Sequence, residues 1–166
     1  MESTAIQLKI SREFNAPREL VFKAFTSKEA LAQWWGPKGS KIFVKEFEFT
    51  PGGTFHYSMT NEGGTMWGKF QYREIVEPER IVFVNSFADE EGNITRAPFF
   101  DGGWPLEILN VLTLIEQNGK TQLTIKGGPI NATAEELALF ESMHSSMQEG
   151  FGGTFDQLDA YLICIQ

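Results

Sequence analysis

The stretch TPGGTFHYSMTNEGGTMWGKF, residues 50–70, decides which kind of protein this is. It holds two Gly-Gly pairs among a crowd of aromatic side chains. Such pairs serve either a loop that cradles phosphate or the turns of a sheet. A phosphate loop leads from a strand into a helix and ends in Gly-Lys-Ser/Thr. Here Gly52-Gly53 and Gly63-Gly64 each lie between two strand-like patterns, and no such lysine follows. The glycines then supply the positive φ that hairpin turns need. Phe55, Tyr57 and Met59 alternate, so they share one face of a strand. Nucleotide chemistry gives way to a sheet that encloses something apolar.

Strand patterns continue on both sides. Ile42 to Phe49 reads as a strand, followed by Thr54 to Thr60, Met66 to Val76 and, after a turn at Glu77-Pro78-Glu79-Arg80, Ile81 to Phe87. Leu106 to Gln117 and Lys120 to Lys126 flank Asn118-Gly119, the strongest short hairpin signal. Short turns between consecutive strands make an antiparallel meander. Earlier, Ile6, Leu8 and Ile10 mark a strand from Ala5 to Phe14. Pro17 opens a short helix carrying Leu20, Val21, Ala24 and Phe25, and a second runs from a Ser27 cap to Trp35, ended by Gly36-Pro37.

Thr133-Ala134-Glu135-Glu136 is a capping box. The helix it opens is expected to reach about Ile163, with Leu137, Phe140, His144, Met147, Phe151, Phe155, Leu158 and Leu162 on one buried face. Its middle, EGFGG at 149–153, carries three glycines, each costing about 1 kcal/mol against alanine. They permit a bend, a close approach to the sheet, or a break at Gly152-Gly153. The sum is an α+β protein: a curved antiparallel sheet of six or seven strands wraps around a long C-terminal helix, with two short helices after the first strand.

A chain of 166 residues is read as one domain spanning residues 1–166. Its net charge of −8 and lack of a basic stripe exclude nucleic acid as a partner. The single cysteine, Cys164, rules out an intrachain disulfide, and near a helix C-terminus its thiolate is disfavoured. The two histidines, His56 and His144, stand without His-Glu-x-x-His or Cys-x-x-Cys, so no metal and no cofactor is expected. No Gly-x-Ser-x-Gly elbow occurs. With no apolar leader and no membrane span, the expectation is a cytoplasmic protein. Glu107 and Glu149 are the carboxylates whose burial would matter most.

The aromatic content, 15 Phe, 4 Trp and 3 Tyr, exceeds what a core of this size needs. Some rings then line a pocket between sheet and helix, closed by the long segment ADEEGNITRAPFFDGGWP, residues 88–105. That segment serves as lid or rim, or packs on the sheet end. The candidate wall is Phe55, Tyr57, Met59, Phe70, Tyr72, Phe83 and Phe87 from strands, Trp34, Trp35, Met143, His144, Met147 and Phe151 from helices, and Phe99, Phe100 and Trp104 from the loop. Core and pocket wall have the same sequence signature, so a filled interior is the competing reading.

Four segments carry a resemblance. FNAPRELVFKAFTSKEALAQWWGP, TPGGTFHYSM, WGKFQYREIVEPERIVFVNSFADEEGN and MQEGFGGTFDQLDAYL follow in register from about residue 5 to 162. They resemble the START-like, helix-grip superfamily (SRPBCC), in the branch related to the C-terminal domain of the activator of the 90-kDa heat-shock protein ATPase. The resemblance implies a helix-grip fold with a cavity for a small hydrophobic or amphipathic molecule, lipids included. It also brings a chaperone partner and a place in the stress response into view. The eukaryotic activator has a separate N-terminal domain for which this chain has no room, which argues against direct chaperone activation.

Three functions are weighed on these grounds. The first is binding of a small apolar or amphipathic ligand. The second is a cofactor-free cyclase, isomerase or hydrolase using Tyr57, Tyr72, His144 or a buried carboxylate. The third is an interaction module acting through Trp34-Trp35-Gly36-Pro37, the expected exposed apolar corner. Monomer and homodimer both fit the sequence.

Overall fold

A computed structural model of the chain describes residues 7–36, 39–98 and 100–166. Ala5, Ile6, Pro37 and Phe99, which carried expectations above, lie outside them. The elements are β1 (Leu8–Phe14), α1 (Arg18–Lys23), α2 (Lys28–Trp34), β2 (Lys41–Phe47), β3 (Thr54–Asn61), β4 (Gly64–Val76), β5 (Arg80–Ala88), β6 (Glu107–Gln117), β7 (Lys120–Ile130), α3 (Ala134–Ser142) and α4 (His144–Cys164). The strands form one seven-stranded antiparallel sheet in the order β1-β7-β6-β5-β4-β3-β2. Strands β2 to β7 are the expected meander, and β1 closes the far edge beside β7. Extra residues at Lys45 in β2 and Arg73 in β4 shift the register there. Such bulges bend a strand and strengthen its twist, which helps the sheet curl around a helix.

Two details depart from the sequence reading. Only one glycine of each turn pair has positive φ, Gly52 at 87° and Gly64 at 126°. Gly53 answers a different need: a Cβ there would lie 2.1 Å from the Glu48 carbonyl oxygen. Strand β7 runs past Lys126 through Gly127-Gly128-Pro129, residues that read as breakers. Gly127 pairs with Asn110 on β6, whose side-chain oxygen would stand 2.4 Å from an added Cβ. Close approach, and no turn, is why glycine occupies that position.

The small helices are locked by Trp34. Ser27 caps α2 by accepting from the Ala30 N–H. The Trp34 indole then donates to the Ala24 carbonyl at 2.9 Å, and its ring meets Phe25 edge-on at 4.8 Å. Trp34 is fully buried, so the expected exposed corner is not formed there. A large ring with a satisfied N–H makes a wedge between two helices too short to fold alone.

The capping box at Thr133 and Glu136 is present, and it opens α3. The expected single helix breaks at Met143, nine residues before the glycine pair. Phe140 seats α3 in a local apolar cluster beside β7, while α4 crosses the sheet, so the chain must turn between them. Helix α4 continues unbroken through Gly150, Gly152 and Gly153.

The interior is divided. One apolar cluster joins the concave face of the sheet to α1, α2 and the C-terminal half of α4 through Phe14, Phe55, Phe155, Leu158 and Leu162. A second contains Leu8, Ala97, Trp104, Ile108 and Phe140.

A Cβ added at Gly150 or Gly152 meets nothing within 4 Å. Replacing either by alanine is therefore expected to raise stability by about 1 kcal/mol, the helix-propensity difference. Thermal unfolding followed by circular dichroism checks it. A lowered midpoint would show that these positions need glycine for another reason.

Candidate functional site

Between the two clusters the concave face and the N-terminal half of α4 do not meet, and a cavity of about 420 Å³ remains. Strand β3 contributes Tyr57 and Met59, β4 Gly68, β5 Asn85, Ser86 and Phe87, and β6 Ile108. Trp35 and Gly36 come from the end of α2, Trp104 and Pro105 from the long loop, and Met147, Gly150, Phe151 and Thr154 from α4. A smaller space of about 40 Å³ shares Asn85, Ile108, Met147 and Phe151 with it and extends toward Leu8 and Asn110.

The structure places Trp35, Tyr57, Met59, Phe87, Trp104, Met147 and Phe151 in this wall. It places Phe55, Phe70, Tyr72 and Phe83 in the solid core, where Phe70 stacks on Phe83 at 4.2 Å and meets Phe55 at 5.1 Å. Trp34 is the helix wedge described above. Met143 packs against the second cluster, and Phe100 is exposed, stacked on Trp104 at 5.7 Å. His144 is half-buried and edge-on to Phe140 at 5.1 Å, with a buried Nε2 that has no hydrogen-bond partner. Phe99 lies outside the described residues.

Sequence reasoning missed Gly36, Gly68, Asn85, Ser86, Pro105, Ile108, Gly150 and Thr154. Asn85 was within reach, because it alternates with Phe83 and Phe87 and so shares their inward face. Thr154 was too, three residues after Phe151 on α4. The glycines contribute by lacking side chains, which no hydrophobic period records.

Both ends of the cavity are tied down. Gln157 donates to the carbonyls of Gly36 at 2.7 Å and Trp34 at 3.1 Å, and Thr154 donates to Gly36 at 3.0 Å. At the other end Arg96 donates to the Trp104 carbonyl at 3.2 Å and pairs with Glu136. The loop thereby joins the first turn of α3. The first half of that loop goes elsewhere. It folds onto the outer face, where His56 Nε2 lies 2.9 Å from the Asp89 carbonyl oxygen and its ring 5.0 Å from Trp67. Neither histidine contributes to the cavity wall.

No charged side chain lines the cavity among the described residues. Glu107 is half-buried and Glu149 exposed, both outside the wall. Among the described residues no group of His, Cys, Asp and Glu could hold a metal ion. The polar features are few. Burial pushes the Tyr57 phenol up, and the nearby Trp35 and Asn85 side chains offset only part of this. Tyr72, below it in the core, is raised by burial first and by Tyr57 second. Both phenols are therefore neutral near pH 7. Trp35 Nε1 is buried without a partner in bonding geometry, although its ring meets Tyr57 edge-on at 6.2 Å. Tyr57 leans across Gly68, its cross-strand partner, so closely that a Cβ there would stand 2.8 Å from the hydroxyl. The wall offers hydrogen-bonding groups and broad apolar surface, with no neutral-pH general base.

Two substitutions test this geometry. Gly68→Ala should displace the Tyr57 ring and lower stability by about 1–3 kcal/mol, the range for overpacking. Shifts of the Tyr57 and Trp35 side-chain NMR signals would report it, and unchanged signals would contradict the placement. The Glu136 carboxyl is held below its ordinary range, first by the Thr133 backbone N–H and then by Arg96. That stabilisation is present above the ordinary carboxylate pKa and is lost as pH falls through the lowered one. Glu136→Gln keeps the capping box but removes the charge that faces Arg96 and the helix N-terminus, and should cost about 0.3–1 kcal/mol at neutral pH. The gap between wild-type and variant melting points should close on acidification.

Similarity to known proteins agrees with this architecture. The family profile described as "Activator of Hsp90 ATPase homolog 1-like protein" matches residues 15–163. A protein from Arthrobacter aurescens solved in solution by NMR is 28% identical, with a TM-score of 0.78 over 98% of this chain and 88% of that one. Crystalline Ms6760 from Mycobacterium smegmatis is 30% identical, with a TM-score of 0.76 over 96% and 91% of the two chains. A Rhodobacter sphaeroides protein shares the fold at 21% identity, with a TM-score of 0.77 over 100% and 98%. No curated protein sequence matches the chain. Among the described residues no helix is long and apolar enough to cross a membrane. With nearly the whole length matched and the helix-grip architecture in place, the chain belongs to the Activator of Hsp90 ATPase homolog 1-like family of the START-like superfamily.

Proposed function

We propose that this chain is a single binding domain whose cavity, between the sheet and α4, holds a small hydrophobic or amphipathic molecule. One observation carries the reading: a space of about 420 Å³ with a largely apolar wall interrupts an otherwise packed interior. Protein interiors pack as densely as organic crystals. Leaving apolar volume empty costs on the order of 20 cal/mol for each Å³. A ligand that fills the space recovers those contacts. The size also falls within the usual range for small-molecule sites.

The catalytic alternative has less support. A reaction in this cavity needs a titratable group inside it with a useful pKa. The wall offers only a phenol made less acidic by burial. The chaperone-associated alternative rests on the family description, and it serves here as the other outcome of the test.

Native mass spectrometry of the purified protein, before and after incubation with a cell lipid and metabolite extract, decides between them. The mass of the unfolded chain is the reference. A defined non-covalent adduct is expected, and Met147→Trp and Met59→Trp, which fill the cavity from opposite walls, should abolish it while the fold persists. A protein that stays bare, yet retains a chaperone in a pull-down, would overturn the binding reading.

A further inference from the structure

The cavity wall constrains the chemistry of its occupant more tightly than apolar character alone. Three observations combine. First, among the described residues every lining side chain is uncharged. An anion placed there would lose its hydration without a partner, which costs more than burial of its apolar part returns. Fatty-acid carboxylates and phospholipid phosphates are thus poor fits for the interior.

Second, the polar groups converge on one place. Tyr57 is a cavity-wall residue, and the Trp35 and Asn85 side chains that approach its oxygen act on it as donors, against the effect of burial. Its proton stays on the oxygen at neutral pH because burial disfavours the phenolate. With those neighbours directed at the oxygen, the O–H proton is what Tyr57 has left to donate. Trp35, a donor only, stands beside it. Asn85 Nδ2 is engaged by the Lys69 carbonyl at 3.2 Å, which leaves the Asn85 carbonyl for any donor on the ligand.

Third, the donor is rigidly aimed. Phe55 stacks on the Tyr57 ring at 4.6 Å, Phe70 meets it edge-on at 5.9 Å, and Gly68 leaves just enough room for the phenol to lie across β4. A fixed donor in an apolar cavity is how such sites orient ligands. Around it, Trp35, Phe87, Trp104 and Phe151 present ring surface, while Met59 and Met147 adapt to shape.

We propose that the cavity selects uncharged, largely apolar, ring-bearing molecules with an accepting oxygen, a ketone, ester or hydroxyl, that receives the hydrogen bond of Tyr57. This rests on the cavity being a binding site and adds the chemical class of what it takes. Tyr57 is the specificity-determining residue, and the missing charge in the wall is the filter against anionic lipids.

The test uses three probes of one shape with the intact protein: benzophenone, diphenylmethane and 4-benzoylbenzoate. They differ in the carbonyl and in the charge. Binding is followed by NMR titration of the Trp35 indole N–H, and the carbonyl ¹³C shift of labelled benzophenone reports its hydrogen bond directly. Benzophenone should bind about three- to tenfold more tightly than diphenylmethane, the effect of one neutral hydrogen bond. 4-Benzoylbenzoate should bind more than about a hundredfold more weakly than benzophenone at neutral pH. The carbonyl carbon should move downfield on binding, and Tyr57→Phe should remove both that shift and the preference for the ketone. Met147→Trp should weaken ketone and hydrocarbon alike.

Equal affinity for ketone and hydrocarbon would overturn the anchor and leave the binding site standing. A ketone preference that survives in Tyr57→Phe would take the role from Tyr57. Binding of the carboxylate as tight as that of benzophenone would overturn the charge filter. Failure of all three probes to bind would count against the cavity as a site and sink the inference with it. Should Tyr57→Phe fail to fold, the three affinities and the carbonyl shift in the wild-type protein still decide.

Discussion

The hold of α4 on the end of α2 is the interaction on which the rest depends. Gln157 and Thr154 donate to the backbone carbonyls of Trp34 and Gly36, groups that the end of a short helix leaves without partners. One helix thereby satisfies the terminus of another, and the chain leaving α2 is fixed where it enters the sheet. Just beyond, Phe155, Leu158 and Leu162 are buried against the concave face. Phe14 meets Phe155 edge-on at 6.0 Å, and Arg12 pairs with Asp156 at 2.7 Å, so the edge strand β1 is tied to the same half of the helix. The C-terminal half of α4 is thus seated from three sides. The N-terminal half has no such seat: over the cavity Gly150 brings no side chain down to the sheet. The cavity is the space under the unseated half.

This division explains what the sequence could and could not reveal. The meander was legible because hairpin signals such as Asn118-Gly119 and the alternation of Phe55, Tyr57 and Met59 act over a few residues. Capping at Ser27 and Thr133 was legible for the same reason. The depth of a residue along its strand was not. Moving from Phe55 to Tyr57 to Met59 along β3 passes from solid core to cavity wall on one face, with no change in periodicity. The same passage runs from Phe83 through Asn85 to Phe87 on β5. Where core ends and cavity begins is set by where α4 lifts from the sheet, and that depends on contacts more than a hundred residues apart, such as Thr154 with Gly36.

The break at Met143 and the continuity through the glycines show the same limit from the other side. Propensity marked the glycines as the weak point, yet a helix with one well-seated end tolerates them. Phe140 and Met147 share a stripe by spacing, but only one is sealed in. Phe140 is fully buried and fixes α3 against Trp104 and Ile108, while Met147 packs at the edge of the same cluster and lines the cavity. Tertiary packing overrode the local pattern, as it routinely does for helices stabilised mainly by one buried face.

The polar residues of the wall complete the argument. On the concave face of a curved sheet, the cheapest side chains are apolar ones that meet α4. Asn85 instead sits between Phe83 and Phe87, and Gly68 stands opposite Tyr57. Asn85 forgoes packing that the fold would gain from a larger apolar residue, Gly68 gives its room to the Tyr57 phenol, and Gly150 of α4 forgoes helix propensity. These three come from separate strands and a helix, yet they all border one space. Local rules are broken together mainly where a site requires it. A filled core would have no use for a phenol proton and an unmet indole N–H side by side. A binding cavity has a use for both, because a molecule with an accepting oxygen satisfies there what the protein alone leaves unsatisfied.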